Sequence, residues 1–298
     1  MAEFTLLRVI EVGNLLGEGI LWDEQQQCVW WTDIHNAVLY RARNDGSSVE
    51  QFKLPERLCS FGLVENDSRL IVAFASGIAL YSPASGAIEW RYRPEADYRG
   101  TRFNDGRVDR QGRFWSGTMV EGEIATNAAG ERVLGSLYWV SARAAGKALG
   151  DIRIANSLCW SPDASTLYFA DSPTRTIRAF DFDAATATLS NARDFVRTPA
   201  TAAPDGSIID AEGCLWNAQW EGACVVRYSP AGKEVARLEL PVTQPTCVCL
   251  GGPALNQLYI TSAREGLDAG QLAAQPLAGS VFVYQTDCTG LPESRFKL

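Results

Sequence analysis

Six times along its 298 residues the chain repeats one pattern: an apolar pair, a turn rich in Asp, Gly, Pro and Gln, then a short aromatic or aliphatic strand. The copies run from Ile20-Leu21-Trp22-Asp23 with Val29-Trp30-Trp31 to Val248-Cys249-Leu250 with Leu258-Tyr259-Ile260. Taking Trp30, Leu70, Phe114, Leu167, Leu215 and Leu258 as equivalent, the steps are 40, 44, 53, 48 and 43 residues. That is the length of a four-stranded propeller blade. Further strand-like pieces follow each copy, alternation with Gly/Asn/Asp turns dominates, and no long helical stripe occurs. Only Ala142–Leu149 reads as a helical turn. The chain is therefore expected to be all-β, a six-bladed β-propeller forming one domain over residues 1–298. A ring of sheets leaves raw edges unless it closes. The N-terminal strand Phe4–Ile10 and the last strand, Ser280–Tyr284, are expected to share a blade and lock it.

Charge narrows the partners. With 27 basic against 35 acidic residues the net charge is −8, which repels phosphate backbones, so no nucleic acid is expected. No apolar run reaches membrane-spanning length, so no membrane partner is expected either. Met1-Ala2-Glu3-Phe4-Thr5 carries no secretory pattern. Together with eight cysteines that read as reduced thiols, this points to a cytoplasmic protein. None of the cysteines has the CxxC spacing of a zinc site, and Cys247-Val248-Cys249 is read as turning its thiols to opposite sides. Oligomeric state is not legible.

In a propeller the innermost strand of each blade starts near the channel mouth. Counting back from the second strand of each copy gives Glu18, Asn104, Asn156 and Asp205, at offsets of 12, 10, 11 and 10 residues. The two remaining places hold Cys59-Ser60 and Thr246-Cys247. Each local frame, such as Asn104-Asp105-Gly106 or Pro204-Asp205-Gly206, is by itself an ordinary turn. The shared register carries more. Two carboxylates and an amide oxygen converging on one axis repel unless a cation sits between them. An all-oxygen set suits Ca, Mg or Mn, and it also holds Zn or Fe(II). The single histidine, His35, reads as an exposed loop residue, and no GxSxG elbow exists to partner it. Any chemistry must then come from carboxylates, a metal and an arginine.

The motifs Leu16-Gly17-Glu18-Gly19, Arg102-Phe103-Asn104-Asp105-Gly106, Gly117-Thr118-Met119, Asn156 with Ser161-Pro162-Asp163, and Pro204-Asp205-Gly206 stand in an order that resembles the gluconolactonase, regucalcin and senescence-marker-protein family of sugar lactonases. Gly251-Gly252-Pro253 and Thr261-Ser262-Ala263-Arg264 resemble the bacterial sugar-acid lactonases in particular. The resemblance implies that Glu18, Asn156 and Asp205 bind one divalent ion, that Arg102 and Asn104 hold the substrate, and that Asp205 doubles as the base. It places a substrate-contacting Glu a few residues after Gly117-Thr118-Met119, where this chain offers Glu121 and Glu123, with a slight preference for Glu123. The expected partner is a small sugar lactone, opened to its free acid. Two other readings remain open: a propeller hydrolase of phosphotriesters or lipophilic lactones, and a non-catalytic calcium-binding propeller.

Overall fold

The computed structural model describes residues 3–298; Met1 and Ala2, which open the segment read as leaderless, lie outside the described residues. Six four-stranded antiparallel sheets form the blades of a propeller. Their inner strands are Gly17–Asp23, Leu58–Leu63, Thr101–Val108, Ala155–Trp160, Ala203–Ile209 and Pro245–Gly251. The ring closes as the sequence suggests: Phe4–Ile10 pairs antiparallel with Val281–Thr286, from Phe4 opposite Thr286 to Ile10 opposite Val281. Buried apolar clusters fill the spaces between blades, and all eight cysteines are buried with free thiols.

Three sequence expectations are corrected. Ala142–Leu149 is no helix, since Ala145–Ile152 is the outer strand of blade 3, where a partner strand overrides the helix preference of Ala, Lys and Leu. Among the described residues the one α-helix is Ala269–Ala274, capped by Asp268. Blade 1 aligns at Val29 rather than Trp30, because Val29 is the residue opposite Trp22. Cys247 and Cys249 share a side: the Arg107 charge acts on both thiols, as the two-residue period of a strand requires. The long third step reflects a small hairpin, Ala125–Thr126 with Arg132–Val133, inserted in blade 3.

The inner hairpins carry a repeated device. Asp109 Oδ1 accepts from the Gln111 and Arg113 amides, and its Oδ2 accepts from Trp115 Nε1 at 2.9 Å. Asp210 does the same with Glu212, Cys214 and Trp216 Nε1. One buried carboxylate thus closes the turn and fixes the indole that packs between blades.

Every inner strand also carries a one-residue β-bulge near its start, at Glu18/Leu21, Leu58/Ser60, Phe103/Gly106, Asn156/Cys159, Pro204/Ser207 and Pro245/Val248. Bulges of this kind re-aim side chains. Opposite Val29, Leu70, Phe114, Leu167, Leu215 and Leu258 on the second strands stand Trp22, Leu63, Val108, Trp160, Ile209 and Leu250. Four residues before each of these lies, in turn, Glu18, Cys59, Asn104, Asn156, Asp205 and Thr246. The six form one level of the channel. Neighbouring blades are tied there by side chains: Thr32 Oγ1 donates to the Leu58 carbonyl, Asn104 Nδ2 to that of Ala155, Ser157 Oγ to that of Asp205, and Thr246 Oγ1 to that of Gly17.

After Thr286 the chain continues across the opposite end of the channel. The Gly290 amide donates to the Leu255 carbonyl, Phe296 exchanges bonds with Leu63 and Glu65, and Glu293 meets Arg107 at 3.3 Å. Arg295 reaches Asp23 at 2.6 Å. This strap covers the far end, so the bulge level faces solvent from one mouth.

Close approach of inner strands leaves no room for side chains at some positions. A Cβ on Gly206 would lie 2.6 Å from Cys247 Sγ and 2.8 Å from Cys247 Cα. Gly206→Ala is expected to cost about 1–3 kcal/mol and to lower Tm by several degrees in a thermal melt, with metal affinity falling alongside because Asp205 is displaced.

Candidate functional site

The mouth of the channel opens into a cavity of about 280 Å³ whose polar lining is Glu18, Arg102, Asn104, Asn156, Ser172, Asp205 and Glu265. Leu16, Met119, Ile154 and Trp220 form an apolar wall. Glu18, Arg102, Asn104, Asn156 and Asp205 are all buried.

Local backbone geometry aims these groups. Gly19, directly after Glu18, has φ of +59°, and its amide donates to Glu18 Oε2 at 3.0 Å. Ser157, directly after Asn156, takes the same left-handed conformation at +60° without being glycine. Its strain is offset by bonds from its hydroxyl to the Asp205 carbonyl at 2.7 Å and with Ser207 Oγ at 3.0 Å. The Asn156 amide is oriented by a relay: its Nδ2 donates to Ser172 Oγ, which donates to the Pro204 carbonyl. That leaves Asn156 Oδ1 facing the channel, where it accepts from Asn104 Nδ2 at 3.0 Å and keeps a second lone pair.

The carboxylates are under electrostatic load. Burial first, then the Asp105 charge, pushes Glu18 up to about 8. Burial, then the Glu18 charge, holds Asp205 well above the usual carboxylate range. The raised Glu18 carboxyl keeps its proton at neutral pH. Two buried acids beside a fixed amide oxygen are the donor set of a hard divalent cation, which would replace that proton. The residues therefore fit the metal that the sequence implies.

Arg102 lies to one side. Its Nη1 donates to Asn104 Oδ1 at 2.6 Å and to the Phe103 carbonyl, while its Nε meets Glu121 Oε1 at 3.2 Å. Asn104 is thus committed at all three points, joining Arg102 to Asn156. The structure puts Glu121, not Glu123, beside Arg102. Glu121 also receives both terminal nitrogens of Arg57, at 2.7 and 2.9 Å, and Arg57 holds it below the usual range. Glu123 lies on a separate cavity with Tyr98 and Lys147. The cause is Gly122, whose φ of +70° turns the chain between the two acids. His35 is corrected as well: it is half-buried, with Nε2 3.0 Å from Glu265 Oε1 at the mouth.

Residues 16–264 match the family described as SMP-30/gluconolactonase/LRE-like region. The chain belongs to that family. Family relatives include an L-arabinolactonase of Azospirillum brasilense, 41% identical over 95% of this chain and 92% of its own. A 6-deoxy-6-sulfogluconolactonase of Pseudomonas putida is 36% identical over 98% of each chain. Among solved family structures, a protein of Agrobacterium tumefaciens described as calcium-binding, regucalcin, superposes with a TM-score of 0.89 at 33% identity, covering 98% of each chain.

Four lining or supporting residues went unread in the sequence. Asp105 was absorbed into an Asn-Asp-Gly turn, although it is half-buried and accepts from the Leu158 amide at 2.9 Å. Ser172 sits in a short 3₁₀ turn. Trp220 and Glu265 come from strand ends in blades 5 and 6, where nothing in the local pattern marks them.

The raised carboxyls make a signed prediction. Folding binds protons where the folded pKa exceeds the unfolded one, so the destabilisation is absent below about 4.5 and grows as pH rises toward about 8. In chelator, Tm should fall across that window. Asp205→Asn should flatten the fall and raise the neutral-pH Tm of the metal-free protein by about 2–5 °C; a further rise on adding divalent metal is expected for the natural chain and not for the variant. Melts at several pH values, with and without metal, check this.

Proposed function

We propose that this protein hydrolyses sugar lactones, aldono-1,4- or 1,5-lactones, to the free sugar acids, with one divalent ion held by Glu18, Asn156 and Asp205. The observation that carries the reading is the placing of two buried carboxylates and an oriented amide oxygen at one channel level, directly beneath a cavity whose other polar side is Arg102. The family relatives named as lactonases support the same chemistry.

A bound divalent ion supplies Lewis acidity toward the ester carbonyl and lowers the pKa of water. The chain supplies the rest. Asp205 takes the proton of the attacking water at its carboxylate and returns it to the ring oxygen as the ester C–O bond breaks. Glu18 has its Oε2 fixed by the Gly19 amide and remains a spectator anion. Arg102 has three of its N–H directions committed and keeps others for a ring hydroxyl or carbonyl oxygen. Glu121, clamped by Arg57, fixes the far edge of that guanidinium. Asn104 couples the Arg102 contact to the Asn156 ligand, so displacement at one is felt at the other. The apolar wall of Leu16, Met119, Ile154 and Trp220 suits the C–H face of a lactone ring and shields the site from bulk water.

That wall also favours a second reading, a lipophilic lactone or ester, which the same assay separates. The protein is stripped with chelator and divalent metals are restored one at a time. Acid release from five- and six-carbon aldonolactones is followed in a pH-stat with spontaneous opening subtracted. Metal-dependent turnover of one or two sugars is expected, with Asp205→Ala lowering it by about 10³-fold or more. Activity retained within about tenfold in Asp205→Ala would remove the role given to Asp205. Turnover of aliphatic lactones alone would transfer the assignment to the second reading.

A further inference from the structure

The mouth of the cavity carries a charge that the reaction does not use. Glu265 lines the cavity opposite the polar floor. Its backbone is pinned on both sides: the amide donates to the Leu15 carbonyl at 3.0 Å, and the carbonyl accepts from Gln244 Nε2 at 3.1 Å. Its carboxylate accepts from His35, which holds it below the usual range, and the side chain remains 44% exposed toward the opening. Among the described residues the one cation lining the cavity is Arg102, three of whose N–H groups go to Glu121, the Phe103 carbonyl and Asn104. Arg57 gives both terminal nitrogens to Glu121.

We propose that Glu265 is a specificity-determining residue that restricts the site to uncharged lactones, excluding sugars with a phosphate, sulfonate or second carboxylate on the tail. The inference rests on the lactonase reading above. A hydroxylated tail finds acceptors in Glu265 and Glu121. An anionic tail meets the Glu265 carboxylate at the mouth while the free N–H groups of Arg102 serve the lactone ring, and like charges brought this close in a partly desolvated mouth disfavour binding strongly. His35 fixes the direction of the carboxylate without replacing its charge.

The test compares kcat/KM of the metal-loaded enzyme on glucono-1,5-lactone and on the same lactone bearing a 6-phosphate, at low ionic strength. The natural chain should prefer the neutral lactone by about tenfold or more. Glu265→Gln should raise the phosphorylated-to-neutral ratio about tenfold, and Glu265→Lys further. His35→Ala should leave the ratio within about twofold of the natural value, because the carboxylate persists. The preference should shrink in about 0.5 M salt. Equal use of both lactones by the natural enzyme would overturn the proposal, as would a His35→Ala effect matching that of Glu265→Gln, which would make Glu265 a loop anchor only. Failure of the natural enzyme on both lactones would reject the lactonase reading itself, and this proposal with it.

Discussion

Two like charges that the fold will not let apart organise this molecule. Glu18 and Asp205 arise from blades 1 and 5, yet both are buried at one channel level, where burial raises both carboxyls and the Glu18 charge raises Asp205 further. In a protein selected only for stability such a pair would be replaced by well-packed apolar residues, since burying uncompensated carboxylates costs free energy at neutral pH. A hard cation turns the same arrangement from a liability into a binding site. Groups that have no other purpose support it: the Ser172 relay that turns the Asn156 amide, the left-handed Ser157, and the Gly206 contact that brings blade 6 against Asp205.

What brings these groups to one level is a regular irregularity. A propeller blade without bulges would alternate its inner side chains between the two faces of the sheet. One extra residue near the start of each inner strand redirects the adjacent side chain to the axis, and because all six strands bulge at nearly the same height, the redirected residues form a ring. The ring positions in blades 2 and 6 hold Cys59 and Thr246 instead of charged groups. Those two blades flank blade 1, so Glu18 faces Asn104, Asn156 and Asp205 of blades 3 to 5 across the channel, with Arg102 and Glu121 extending the polar set toward the mouth.

Much of this was legible in the sequence, because blade spacing and channel register are both periodic. The blade count, the shared closing blade and the alignment of Glu18, Asn104, Asn156 and Asp205 follow from counting. The uneven offset at Glu18 came from anchoring blade 1 at Trp30; its inner turn contains Gln27 at φ +52°, one residue more than the turn of blade 3, and this shifted the alignment. Features that depend on local breaks in periodicity were not legible. Glu121 and Glu123 are two apart and would share a face of a strand, but the strand ends at Val120 and Gly122 reverses the chain. Asp105 looked like a turn residue. The strap after Thr286 has no repeat to announce it, and Glu265 acquires meaning only from the cavity around it.

The central claim is that Glu18, Asn156 and Asp205 form one cation site on the channel axis. Anomalous diffraction from crystals soaked in Mn²⁺, collected near the manganese edge, tests it directly. The account predicts a single strong peak within bonding distance of oxygen atoms of all three residues, absent from crystals of Asp205→Ala. No peak at that level, or one that persists undiminished in Asp205→Ala, would contradict it.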